Sequence, residues 1–145
     1  MIRHLHLHQE MNYTSIATSM PMNDLVGDFY EAMLLFLEQE EVGTDSIIVC
    51  DAYQGDELYT VHPKSGYYHK RNSVDPPLIS IIPGEYSFEQ LLFTPSNKGE
   101  FLPLCMKFIS KELQQKSSTL YIRLYKEKRF EIVVQFLLPF KGKEL

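Results

Sequence analysis

Apolar and polar positions alternate most regularly towards the end of the chain. Leu120, Ile122 and Leu124 alternate with Thr119, Tyr121, Arg123 and Tyr125. Beyond Lys126-Glu127-Lys128, Phe130, Ile132, Val134 and Phe136 alternate with Glu131, Val133 and Gln135. A period of two puts one set of side chains on the core side of a strand, so an antiparallel hairpin is predicted here. Leu25, Val26, Phe29, Tyr30, Met33, Phe36 and Leu37 instead recur at three and four, the period of an amphipathic helix. Asn23 or Asp24 can cap its start, and Val42-Gly43 ends it. A second helix is predicted from about Glu100 to Gln115, with Pro103 tolerable only near its start. Phe101, Leu104, Cys105 and Phe108 share it with Leu102, Met106, Ile109 and Leu113, so more than one face is apolar and burial is expected.

Shorter elements lie between the helices. The β-branched run Ile47–Cys50 reads as a core strand, and Gln54-Gly55-Asp56 as the turn leading to a second strand over Glu57–His62. Pro63–Gly66 reads as a turn, Tyr67-Tyr68-His69 as the start of a third strand, and Asn72–Pro77 as a loop. Leu78–Ile82, bounded by prolines, is a compact strand. Ser87 with Gln90 three residues on predicts a capped turn of helix ending near Phe93. Residues 1–22 are expected as an irregular or strand-like lead-in, because only His4-Leu5-His6-Leu7-His8 shows a period, of two. Residues 23–145 are then a single α+β domain. Its expected sheet is mixed or antiparallel, of about five to six strands, with two main helices packed on it and a C-terminal β-hairpin.

Composition narrows the class. The chain has 145 residues, 44% of them hydrophobic and 23% charged, which is ordinary for one globular domain. No apolar run approaches the roughly 20 residues that span a bilayer, and no signal-peptide core is visible near the start, so a cytoplasmic protein is expected. Cys50 and Cys105 sit in apolar settings and are expected as free buried thiols.

Charge changes the picture more. Between Arg3 and Lys64 there is no lysine or arginine, yet these sixty positions hold eleven carboxylates. From Lys64 onward there are thirteen basic and eight acidic residues. The net charge of −5 is therefore −10 (one Arg against eleven acids) plus +5 (thirteen against eight). An acidic front half repels nucleic acid and attracts basic proteins. Glu38, Glu40 and Glu41 crowd the C-terminal end of the first helix, where the dipole is already negative, and no neighbouring lysine relieves them in sequence. With Asp45, Asp56 and Glu57 they form the candidate partner-binding set. The expected partner is a basic protein, and the expected state is monomer or homodimer.

Other chemistry has less behind it. His4, His6 and His8 at alternate positions are metal-ligand types, with His62 or His69 as a further ligand, but a single strand leaves coordination incomplete. No metal or other cofactor is expected. There is no GxSxG elbow and no glycine-rich phosphate loop, and the paired carboxylates Glu40-Glu41 and Asp56-Glu57 read as solvent-facing, so no enzyme is expected.

The order of elements resembles the YezG-like immunity proteins of polymorphic toxin systems over about residues 22–138. The first helix and hairpin carry the resemblance, followed by Ile82-Pro83-Gly84-Glu85-Tyr86 and by Ser118-Thr119 opening the last hairpin. Tyr125-Lys126-Glu127-Lys128-Arg129-Phe130-Glu131-Ile132 completes it. The resemblance implies a small acidic α+β protein that neutralises a secreted toxin, a nuclease in the specific case. An alternative for such a small acidic protein is a secretion chaperone that binds an effector segment.

Overall fold

A computed structural model of the chain describes residues 3–17, 33–54, 59–70, 76–97, 99–112 and 117–139. Nine strands are described: β1 (Arg3–Leu7), β2 (Met11–Tyr13), β3 (Ser15–Ala17), β4 (Asp45–Gln54), β5 (Tyr59–His69), β6 (Ile79–Ile81), β7 (Gly84–Phe93), β8 (Ser117–Lys128) and β9 (Glu131–Pro139). Helix α1 is described over 33–39 and helix α2 over Phe101–Glu112. Seven strands form one sheet in the order β1-β7-β9-β8-β4-β5-β3, and β2 pairs with β6 in a separate ribbon. Every described pairing is antiparallel. The class is α+β, as expected, with more strands than the sequence predicts.

The extra strands have identifiable sources. Residues 3–17, expected as lead-in, supply β1, β2 and β3. The predicted helical turn at Ser87–Phe93 is instead part of β7, because its backbone is laddered to β9 along its length and to β1 at its start. A capping-box pattern is a local preference, and ladders on both sides override it. The predicted turn at Pro63–Gly66 lies inside β5. Pro63 faces Cys50 where the β4–β5 register shifts, and such an irregularity tolerates a missing donor. The compact strand predicted at Leu78–Ile82 is β6, but it joins the ribbon and not the main sheet.

Alternation decides which face each strand residue covers. Ile48, Cys50 and Ala52 of β4, Leu120, Ile122 and Leu124 of β8, and Ile132, Val134 and Phe136 of β9 are fully buried on one face. There they meet Met33, Phe36 and Leu37 of α1 and Cys105, Phe108 and Ile109 of α2. Phe108 stacks on Phe136 with ring centroids 5.8 Å apart. The helix periods predicted for the described parts of α1 and α2 are thus the ones that pack. The predicted cap at Asn23 or Asp24, and Leu25 to Tyr30, lie outside the described residues. α1 ends at residue 39, short of the predicted Val42-Gly43, and Gly43, with φ of 95°, takes the left-handed region that glycine favours in the turn before β4. The opposite face buries Ile47, Val49, Tyr86, Phe88 and Leu137 under the ribbon residues Tyr13 and Ile81.

The last hairpin closes through Arg129 and Phe130. Neither has positive φ, which excludes the primed turns usual in two-residue loops. A register shift between Lys126 and Lys128 accompanies this turn. Among the described residues, no helix is long and apolar enough to cross a membrane.

Truncating Phe136 to Ala should cost about 3–5 kcal/mol of unfolding free energy, because it leaves a cavity between both helices and the sheet. Val42→Ala, at a 60% exposed position, should stay within about 0.5 kcal/mol of wild type. Urea titration of both variants checks the contrast.

Candidate functional site

The six carboxylates expected to bind a partner have different fates. Glu38 and Glu41 are exposed at and just beyond the C-terminal end of α1. Glu40 is half-buried, and its Oε1 lies 3.3 Å from His69 Nε2. Asp45 is buried and leaves the expected surface set. Asp56 and Glu57 lie outside the described residues.

Asp45 is buried because β4 starts on the face covered by the ribbon, opposite Tyr125 of β8. Arg123, two residues before Tyr125 on β8 and on the same face, reaches across to it. Arg123 Nε donates to Asp45 Oδ1 at 3.0 Å and Nη2 to Oδ2 at 2.8 Å, a two-pronged charged pair. Tyr13 OH, from the ribbon, donates to the same Oδ1 at 3.1 Å. Arg123 Nη1 donates to Gln135 Oε1 at 3.1 Å, and Gln135 Nε2 to Gln90 Oε1 at 2.9 Å. The polar row therefore crosses four neighbouring strands. Burial disfavours the Arg123 charge, yet the hydrogen bonds and field of Asp45 outweigh it and hold the guanidinium above its usual value. Burial first, and the Asp45 charge second, push the Tyr13 phenol well up.

The helix side carries a second cation. Lys126 continues the buried set Leu120, Ile122, Leu124 and is itself buried. Its Nζ donates to Leu37 O and, at 2.5 Å, to Glu40 O, the open carbonyls at the end of α1. Its backbone accepts from Gly43 N at 2.8 Å and donates to Thr44 O at 3.0 Å. A lysine distant in sequence thus relieves the helix end that no neighbour in sequence relieves.

Ser46, His69 and Glu40 stand in line beside it. Ser46 Oγ lies 2.5 Å from His69 Nδ1, on the opposite side of the ring from Glu40. A neutral imidazole with its proton on Nε2 would donate to Glu40 and accept from Ser46. These are residue types of a hydrolase triad. However, Ser46 is fully buried and His69 is 5% exposed, which leaves a substrate no approach to the hydroxyl. Among the described residues, no buried side-chain nitrogen or oxygen lacks a hydrogen-bond partner. These polar clusters are complete as they stand.

The N-terminal histidines also find an internal use. His4 Nε2 and His6 Nδ1 both hydrogen-bond the carboxylate of Glu85 across the β1–β7 ladder. The His8 ring meets that of His6 edge-on, with centroids 4.4 Å apart. Glu85 is held below its ordinary value by the bond from His6 first and His4 second. Among the described residues, no group of three His, Cys, Asp or Glu side chains is placed to hold a metal ion. Cys50 and Cys105 are buried free thiols, and burial pushes Cys105 up to about 12.

Two concavities flank the end of α1. One, of about 330 Å³, is lined among the described residues by Leu34, Leu37 and Glu38 on the helix side, with Lys126, Pro95, Arg129 and Phe130 opposite and below. The other, wider and more polar, is lined by 41–45, Lys70 and Tyr125. Glu38 edges the first and Glu41 the second. The charge pattern pointed to this end of the helix, but sequence reasoning missed Lys126 and Arg123, and it weighed His69 as a metal ligand where the structure sets it against Glu40.

No family model matches the chain, and no curated protein matches it.

Two measurements check these electrostatics. Arg123→Ala strands a buried carboxylate, although water reaches part of the guanidinium site, so a loss of about 2–3 kcal/mol is expected in denaturant titration. The Glu85 carboxyl, followed by NMR, should titrate below its ordinary 4.5 in wild type. It should return towards 4.5 when His4 and His6 are both replaced by Ala. Any stability it contributes is present above about pH 4.5 and lost as pH falls through the lower folded value.

Proposed function

We propose that the protein is a cytoplasmic, non-enzymatic immunity protein that binds a cognate bacterial toxin through an acidic surface. The toxin is most specifically a nuclease, whose basic cleft would receive carboxylates where phosphates otherwise lie. The observation that carries this reading is the pair Glu38 and Glu41. Both are exposed, and among the described residues neither side-chain carboxylate has a hydrogen bond or ion pair. They sit where the α1 dipole is already negative, so local stability does not call for them there. Lys126 and His69 serve the carbonyls and Glu40, which leaves Glu38 and Glu41 directed to solvent. Asp56 and Glu57 belong to the proposed surface on sequence grounds alone.

The YezG-like resemblance supplies the specific class. The buried setting of Ser46 favours a binding role over hydrolysis. The tie of His4 and His6 to Glu85 offers no support for a metal site.

Carboxylates at an interface rim act mostly on encounter. Binding of a candidate toxin, a nuclease domain with a basic cleft, should therefore be measured by stopped flow over a range of salt. Charge reversal of Glu38 and Glu41 to Lys should slow association about tenfold at low salt and flatten its dependence on ionic strength. Association rates and salt slopes equal to wild type would remove this surface from the interface.

A further inference from the structure

The groove beside α1 is chemically two-sided. Glu38 stands on its helix wall and Arg129 on its turn wall, and both are exposed. Phe130, also on the turn wall, is 60% exposed. A phenyl ring is a poor choice for a hairpin turn, where Asn, Asp or Gly is usual. Its cation–π neighbour, with Arg129 Cζ 5.1 Å from the ring centroid, is exposed as well and holds it weakly. Leu34, Leu37 and Pro95 offer the ring an apolar receptor that it borders but does not fill.

Charge complementarity selects the occupant. A uniformly basic partner would meet Arg129, and a uniformly acidic one would meet Glu38. A matching surface must carry the same two charges in exchanged positions. A second copy does so when a two-fold axis passes through the groove, because the rotation exchanges the two walls.

We propose that this groove is a homodimer interface, in which Phe130 of each copy enters the groove of the other and Arg129 pairs with Glu38 across the axis. Two symmetric ion pairs then flank two buried rings, an apolar centre with a charged rim. The proposal does not rest on the toxin-binding reading. Glu38 is common to both surfaces, so self-association competes with docking of a basic protein there.

Sedimentation equilibrium of the full chain over a wide concentration range tests it. Wild type should show a monomer–dimer equilibrium, and Phe130→Asp should shift it to monomer. Glu38→Arg and Arg129→Glu should each weaken association about tenfold or more, through like charges across the axis. The reciprocal double variant, Glu38→Arg with Arg129→Glu, should return to within about threefold of wild type. This recovery does not depend on whether Phe130→Asp folds, and circular dichroism verifies the fold of each variant. Any of three results overturns the proposal. These are a monomer at every concentration, a dimer insensitive to all the substitutions, and a double variant no better than the singles.

Discussion

Arg123 and Lys126 leave strand β8 on opposite faces of the sheet, and each is the counter-charge to a group from the front half of the chain. Arg123 holds the Asp45 carboxylate under the ribbon, while Lys126 holds the carbonyls that end α1. Sixty positions without lysine or arginine cannot balance their own carboxylates nearby in sequence. The fold brings the balance from the rear half by pairing β4 with β8 along their length. A buried carboxylate without its cation, or a helix end without its donor, would carry a desolvation cost that hydrophobic packing does not remove. The β4–β8 register is therefore an electrostatic constraint as well as a hydrophobic one. A slip by one residue would turn Arg123 and Lys126 to the wrong faces.

This internal balance also determines what the surface retains. Of the carboxylates near the end of α1, Asp45 is used in the sheet and Glu40 lies against His69. Glu38 and Glu41 are what remain for solvent or for a partner. Among the described residues at the end of α1, the exposed acidic set is narrower than the linear charge pattern implies, and it is interleaved with Arg129, Lys70 and the exposed Phe130. A binding role drawn from it depends on position and steering more than on total charge.

Much of the fold was legible where one period dominated. The β8–β9 hairpin and the described parts of both helices follow from alternation and from three–four spacing, because a single buried face selects the residues. The elements misread were those where a local signal opposed a tertiary one. Ser87 and Gln90 carry a helix-start pattern, but β9 and β1 pair the backbone of β7 on either side. Pro63 and Gly66 look like a turn, but β5 runs through them. The ribbon of β2 and β6 was invisible as such, since each strand has only three residues. The site was less legible, because Asp45–Arg123 and Glu40–His69 join residues 78 and 29 positions apart. One signal was available. Lys126 extends the buried set Leu120, Ile122, Leu124, and a charged residue in an apolar register announces a specific partner inside.

Whether β8 supplies the counter-charge for the end of α1 can be read from amide hydrogen exchange in Lys126→Met, which keeps most of the side-chain volume and removes the charge. The Glu40 amide, bonded to Phe36 O, and the Gly43 amide, bonded to Lys126 O, report on that end. Protection should be lost at both, while the amides of β9 stay protected. Unchanged protection at Glu40 and Gly43 would contradict this role of β8.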